Sequence, residues 1–298
     1  MRLNSLKVKY RTLEKMEGVL HMNYKLDDCE RILVVGDIHG NFERLMSLFD
    51  KLNVTDRDFL IFLGDYVDRG SENVKVLKWI MRESQKPNVV ALCGNHEYML
   101  ATDIVTGEVR LDSESETLRE IAWQKRKEPR FDDKVLAFLK TLPFRFEAEI
   151  RGKKYFFCHA GIEPELPLEE QDAFDVIFIR EKFWTLYDGD AIIVVGHTPV
   201  MYIKPDEEIQ AVLTDLQTRP ENQGRPLAEI VQQVVDDCED KFINSPFRFD
   251  INTALSAKDC KPQWRRGGKI LLMDTGAYFP NGHISCVDLL SGKVWQSD

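Results

Sequence analysis

Residues 33–45 read LVVGDIHGNFERL, and the punctuation of this stretch governs how the rest of the chain is understood. An apolar run stops at Gly36. Asp37 and His39 follow, two residues apart, then Gly40, and beyond Asn41 the spacing turns helical. Gly36 and Gly40 give the backbone the freedom of a tight turn, and Asp37 could bond its own backbone there. The same turn would also set both side chains at the carboxyl end of a strand, where open α/β sheets bind ligands. An oxygen and a nitrogen donor meeting at such a place suit a metal ion.

Four more strand-like runs end in the same way. DFLIFL (58–63) leads into GDYVDRG, and NVVALC (88–93) into GNHE. The run YFFC is followed by His159-Ala160-Gly161, and AIIVV (191–195) by Gly196-His197-Thr198-Pro199. A single histidine after a strand is usually a polar tip at the edge of a core. Five strand ends all carrying Asp, Asn or His form a mixed oxygen and nitrogen set suited to iron, manganese or zinc.

Helical periodicity follows the first three runs, over 41–52, 72–83 and from about 96, which indicates βαβ units. It continues over 114–128 and 132–140. FRFEAEIRGKKYFFC alternates around a glycine turn and predicts a hairpin, KILLM (269–273) predicts a strand, and HISCVDLLSGKVWQ predicts a terminal hairpin. The residues alone therefore support an α/β chain with late antiparallel strands. Residues 204–266 are rich in charge and proline, with one helical stretch near 226–242. They predict an insertion, 204–266, within a single domain spanning 1–298, forming neither linker nor core.

The 298 residues carry 50 acids against 40 bases, a formal net charge of -10. That balance works against nonspecific binding to nucleic acid or anionic membrane, both of which favour basic surfaces. No stretch approaches the roughly 20 apolar residues of a membrane span, and the first residues lack the apolar centre of a signal peptide. The six cysteines form no CxxC pair. Three of them sit in apolar runs, which fits buried thiols in a reducing cytoplasm.

Taken in order, GDIHG, GDYVDRG, GNHE, CHAG and VVGHTP resemble the motifs of the calcineurin-like metallophosphoesterases, and within them the serine/threonine protein phosphatase branch. The resemblance covers about residues 31–202 and resumes at MDTGAYF (273–279). It implies a β-sandwich flanked by helices, with a site for two metal ions at the strands' carboxyl ends. It also implies that Asp37 and His39 bind the first metal, that Asp65 bridges both, and that Asn95, His159 and His197 complete the second. Arg69 and His96 would flank the phosphate, with Asp68 orienting His96. Arg180, in FIREKFW, resembles a second phosphate-binding arginine.

Chemistry explains these residue types. A phosphomonoester is a dianion that repels hydroxide, and two divalent ions about 3.5–4 Å apart neutralise it and clamp the attacking and leaving oxygens. A carboxylate can reach two ions with its two oxygens. Arginine matches phosphate in bidentate fashion and never deprotonates. A histidine near neutral pKa can protonate the departing alkoxide.

The resemblance implies phosphoprotein or a small phosphoester as substrate, with diadenosine tetraphosphate hydrolysis as the runner-up. Those hydrolases typically lack the acid matching Asp68 and have Asp where this chain has Glu97. Nucleases and cyclic phosphodiesterases of the superfamily typically end the last motif in GHxH, and Pro199 stands in place of that second histidine. A noncatalytic scaffold would have lost ligands, and here all six candidates are present.

Overall fold

The computed structural model describes residues 19–20, 26–107, 115–238, 245–249 and 257–298. Within them the elements run β1 (Val19–Leu20), β2 (Arg31–Val35), α1 (Phe42–Leu52), β3 (Asp58–Phe62), α2 (Asn73–Glu83), β4 (Val89–Ala91) and α3 (Asn95–Thr106). There follow α4 (Ser115–Gln124), α5 (Phe131–Leu139), β5 (Arg145–Ile150), β6 (Lys153–Cys158), α6 (Asp175–Phe178), α7 (Glu181–Leu186) and β7 (Ile192–Val195). The remainder is α8 (Asp206–Thr218), α9 (Leu227–Asp237), β8 (Gln263–Arg265), β9 (Ile270–Leu272), β10 (Ser285–Asp288) and β11 (Val294–Gln296).

The strands form two sheets, ordered β11-β10-β2-β3-β4 and β1-β5-β6-β7-β9-β8. In the first, β2, β3 and β4 are parallel and β10 returns antiparallel beside β2. In the second, β6, β7 and β9 are parallel, β5 runs antiparallel to β6 and parallel to β1, and β8 is antiparallel to β9. This is the sandwich flanked by helices that the motifs implied.

Period-two patterning explains the layering, because alternate strand residues face opposite sides. Ile32 and Val34 of β2, with Phe59 and Ile61 of β3, join an apolar cluster that also holds Phe146, Phe157, Val194 and Leu271 of the other sheet. Leu33 and Val35, offset by one, join a second cluster with Leu45 and Leu48 of α1 and Val76 and Ile80 of α2. Both faces of β2 and β3 are thus covered, which is why their sequences read as unbroken apolar runs. Each such side chain taken fully from water stabilises the fold by about 1.5–3 kcal/mol.

The reading of residues 204–266 as outside the core is corrected in part. Ile209, Leu213 and Leu216 of α8, Ile230 and Val231 of α9, and Phe247 are buried in the same cluster as α1 and α2. Gln263–Arg265 forms an edge strand against β9. The reason is amphipathicity: three apolar residues at helical spacing on α8 are enough to dock it, although charges outnumber them in sequence. Residues 239–244 and 250–256 of this segment lie outside the described residues, as does the end of the predicted helix 226–242. Leu213→Ala and Ile230→Ala should each destabilise the protein by about 2–5 kcal/mol, the usual range for truncation in a packed core. Urea unfolding followed by circular dichroism measures this, and losses under about 1 kcal/mol would show that the segment merely decorates the surface.

No described helix is long and apolar enough to cross a membrane. None of the six cysteines is in a disulfide.

Candidate active site

The carboxyl ends of both sheets open toward one place. The turn after β2 is stapled to the turn after β3. Asp65 O accepts the N–H groups of Ile38 and His39 at 3.0 and 2.9 Å, and Tyr66 O accepts that of Gly40 at 2.8 Å. On the other sheet, Gly196 N–H donates to His159 O at 2.8 Å. The sheets meet where the His197 amide sits 3.2 Å from each carboxylate oxygen of Asp37. Residue 196 must be glycine, because a Cβ there would collide with Asp37 Oδ1.

Asp65 lies at the centre. Its Oδ2 is 3.5 Å from His39 Nε2 and 3.8 Å from His96 Nε2, and its Oδ1 is 3.2 Å from His159 Nε2. Two clusters of donor atoms result, His39–Asp65–His96 and Asp65–His159–His197, each within 4.8 Å. Asp65 is shared by both. Asp37 Oδ2 lies 3.8 Å from His39 Nε2, and Asn95 Oδ1 lies 2.9 Å from His159 Nε2. The six residues expected to bind metal are therefore brought together, and His96 stands beside His39 as well.

The histidine tautomers test whether a cation fits. His39 Nδ1 is 3.0 Å from Val67 O, and His159 Nδ1 is 2.9 Å from Leu63 O. A ring nitrogen facing a carbonyl carries the proton, so each Nε2 is left as a lone pair. Around His159 Nε2 stand Asn95 Oδ1, Asp65 Oδ1 and His197 Nδ1 at 2.9, 3.2 and 3.2 Å. Oxygen and nitrogen atoms crowded this closely suit a cation among them. His197 Nε2 and Asp274 Oδ2 are buried with no hydrogen-bond partner. The donor set of carboxylates, imidazoles and one amide suits iron, manganese or zinc.

Electrostatics agree. Burial, and after it the carboxylate of Asp274, pushes Asp37 well above the usual carboxylate range. Burial likewise lifts Asp65 to about 8. It pushes His39 and His197 well below the usual histidine range and lowers His159. These shifts favour neutral imidazoles, as ligation requires, and at Asp65 burial outweighs the attraction of Arg69.

The backbone is bent to bring these groups together. His39, Asp65, Asp68, Arg69 and His197 all have φ between 48° and 69°. Each residue held in this left-handed region costs about 1–2 kcal/mol, and such outliers gather at sites whose geometry the surrounding structure dictates. Glu97 supplies part of that constraint. Its buried carboxylate accepts the N–H groups of Asp65, Tyr66 and Gly94 at 2.7, 2.8 and 3.0 Å.

Around the centre, Asp68 Oδ2 accepts from His96 Nδ1 at 2.8 Å. That leaves His96 Nε2 facing Asp65. The exposed Arg69 guanidinium lies 4.2 Å over the Tyr278 ring. Arg180 donates to Thr198 Oγ1 at 2.9 Å and to His197 O at 3.2 Å. Burial, then the nearby Arg248, lowers its pKa to about 10.

The strand-end reading missed Asp274. It follows β9 in Met273-Asp274-Thr275-Gly276, the same pattern as the other five ends, and is 1% exposed. Nor does the sequence signal Thr117, whose hydroxyl donates to Asp68 Oδ1.

The sequence profile of the calcineurin-like phosphoesterases matches residues 30–221. The chain belongs to this family. Calcineurin-like phosphoesterases use a dinuclear metal site, and this member is a phosphoester hydrolase. It is similar to Serine/threonine-protein phosphatase 2 of Salmonella typhimurium, 32% identical over 180 residues, spanning 57% of this chain and 74% of that protein. It is also similar to Bis(5'-nucleosyl)-tetraphosphatase PrpE [asymmetrical] of Oceanobacillus iheyensis, 25% identical over 198 residues, spanning 57% and 78%. A crystal structure provisionally assigned as a diadenosine tetraphosphatase shares this chain's fold with a TM-score of 0.53, at 16% identity over 92% of this chain and 95% of that one.

Proposed function

We propose that this phosphoesterase is a serine/threonine-type phosphoprotein phosphatase, holding two metal ions (Mn2+, Fe2+/Fe3+ or Zn2+) with Asp37, His39, Asp65, Asn95, His159 and His197. The observation that carries the reading is the 2.8 Å contact between Asp68 and His96. A serine alkoxide is a poor leaving group and needs a proton, whereas a polyphosphate chain leaves without one. The cations would neutralise the phosphate dianion and supply an acidified water as nucleophile.

The chain's own groups do the rest. Arg69, steadied on the face of Tyr278, reaches outward to the equatorial phosphate oxygens, and Arg180 faces them from the His197 side. Asp68 accepts the Nδ1 proton of His96, which fixes the tautomer and keeps the ring charged. His96 Nε2 then gives its proton to the departing oxygen.

We read residues 204–266 as an insertion in the same single domain, bordering the site. Arg248 of that segment pairs with Glu181, the neighbour of Arg180. Six cysteines without a disulfide suit a reducing cytoplasm.

Dinucleoside polyphosphate hydrolysis is the second reading, supported by the relative at 25% identity named for it. The test is a panel on the manganese-loaded protein: phosphoserine and phosphothreonine peptides, a phosphotyrosine peptide and diadenosine tetraphosphate. The phosphoserine and phosphothreonine peptides should show the highest kcat/KM. Preference for diadenosine tetraphosphate would replace the first reading by the second.

A further inference from the structure

Asp68 and His96 come from turns of one sheet, yet the groups that fix the Asp68 carboxylate include one from outside both turns. Thr117, fully buried on α4, donates its hydroxyl hydrogen to Asp68 Oδ1 and accepts the Asp68 backbone N–H at 3.2 Å. Glu120 lies one turn further along the same helix face. It accepts the backbone N–H groups of Asn73 and Val74 at 3.1 and 2.9 Å and Asn73 Nδ2 at 2.7 Å. Asn73 in turn donates from Nδ2 to Gly70 O at 2.9 Å and accepts the Asp68 N–H on Oδ1 at 2.7 Å. The helix therefore grips both ends of Asp68-Arg69-Gly70, whose first two residues are both left-handed.

We propose that α4 is a positioning element for the general acid, with Thr117 as its principal residue. This rests on His96 being that acid. Rotation about the last side-chain bond of an aspartate is soft and roughly two-fold, so a bond to His96 alone leaves the carboxylate free to swing. A second bond from Thr117 to the other oxygen fixes its plane and keeps Oδ2 aimed at His96 Nδ1. Glu120 acts on the same carboxylate at one remove, by holding Asn73 and the strained turn in place. Neither side chain reaches the reacting atoms in this arrangement. Their effect is on the direction in which His96 points.

The variants are Thr117→Val, which keeps the shape and removes the hydroxyl, Thr117→Ser, which restores it, and Glu120→Gln. A hydrogen bond to a charged group corresponds to about tenfold or somewhat more. Thr117→Val should therefore lower kcat on a phosphoserine peptide about tenfold, with a smaller loss on p-nitrophenyl phosphate, whose leaving group is stable unprotonated. Its metal content should equal that of wild type, and the loss should fall on kcat with KM little changed. Thr117→Ser should recover most of the loss. Glu120→Gln should show the same ordering more weakly, and it carries the test if Thr117→Val does not fold.

His96→Asn is measured alongside. If His96→Asn discriminates between the two substrates and Thr117→Val does not, the positioning role is wrong. If His96→Asn itself does not discriminate, the general-acid reading falls instead. The hydrogen-bonded Nδ1–H proton of His96, observed by NMR, then decides the clamp alone. Its loss or faster exchange in Thr117→Val sustains the clamp, and an unchanged resonance overturns it.

Discussion

Asp65→Asn is expected to empty the site of metal and to abolish turnover. Asp65 is the residue common to both donor clusters, with one oxygen toward His159 and the other toward His39 and His96. Asparagine has the same shape but offers one oxygen. Its second branch carries hydrogens and repels a cation. The bridge then becomes a single ligand, and the fixed spacing that a two-metal clamp requires is lost. The rate should fall by at least about 10³, the equivalent of roughly 4 kcal/mol of lost transition-state stabilisation. Metal analysis after dialysis should give well under two equivalents per chain. The protein should remain folded, because the change removes one of several mutually repelling buried carboxylates, and a circular dichroism melt checks this. Two tightly held metals and full kcat in the variant would remove Asp65 from the bridging role. Chelator-stripped wild type should behave similarly and recover when manganese is added back.

His96→Asn should cost far more on a phosphoserine peptide than on p-nitrophenyl phosphate. General acid catalysis contributes about 10²–10⁴ in rate where the leaving group needs a proton. A serine alkoxide does, and p-nitrophenolate does not. The contact of His96 with Asp68 suits a proton donor, and its position beside His39 makes it a candidate ligand as well. Metal analysis separates the two. Near-normal metal with a loss confined to phosphoserine identifies the acid. Equal losses on both substrates, with metal depleted, would make His96 a ligand. Asp68→Asn should follow the same ordering with smaller losses, since it acts only through His96.

The strand ends were legible because two simple signals coincide there. An unbroken apolar run marks a strand covered on both faces, and an abrupt polar turn marks its carboxyl end. Val35 to Asp37, Phe62 to Asp65 and Val195 to His197 all show this, and the structure brings those residues together. Asp274 obeys the same rule and was readable by it. Thr117 was not, because its contact to Asp68 spans 49 positions and its helix reads as an ordinary charged surface segment. The short strands Val19–Leu20 and Gln263–Arg265 escaped for a related reason. Two or three residues hold no period, and their pairing depends on partners far along the chain. Helix α8 was hidden by its charge, although its apolar stripe docks it in the core.

The six ligand candidates also divide by origin. Asp37, His39, Asp65 and Asn95 follow strands of one sheet, whereas His159 and His197 follow strands of the other. A pair of ions held by all six would act as a rivet through the sandwich. Sliding one layer over the other would pull the ligands apart, so the chemistry itself resists shear between the halves. Mass action then ties mechanical integrity to supply: at a metal concentration 100 times the dissociation constant, one such site adds about 2.7 kcal/mol of stability. A cell short of the metal would hold an enzyme that is both inactive and looser at its seam, and so more readily cleared.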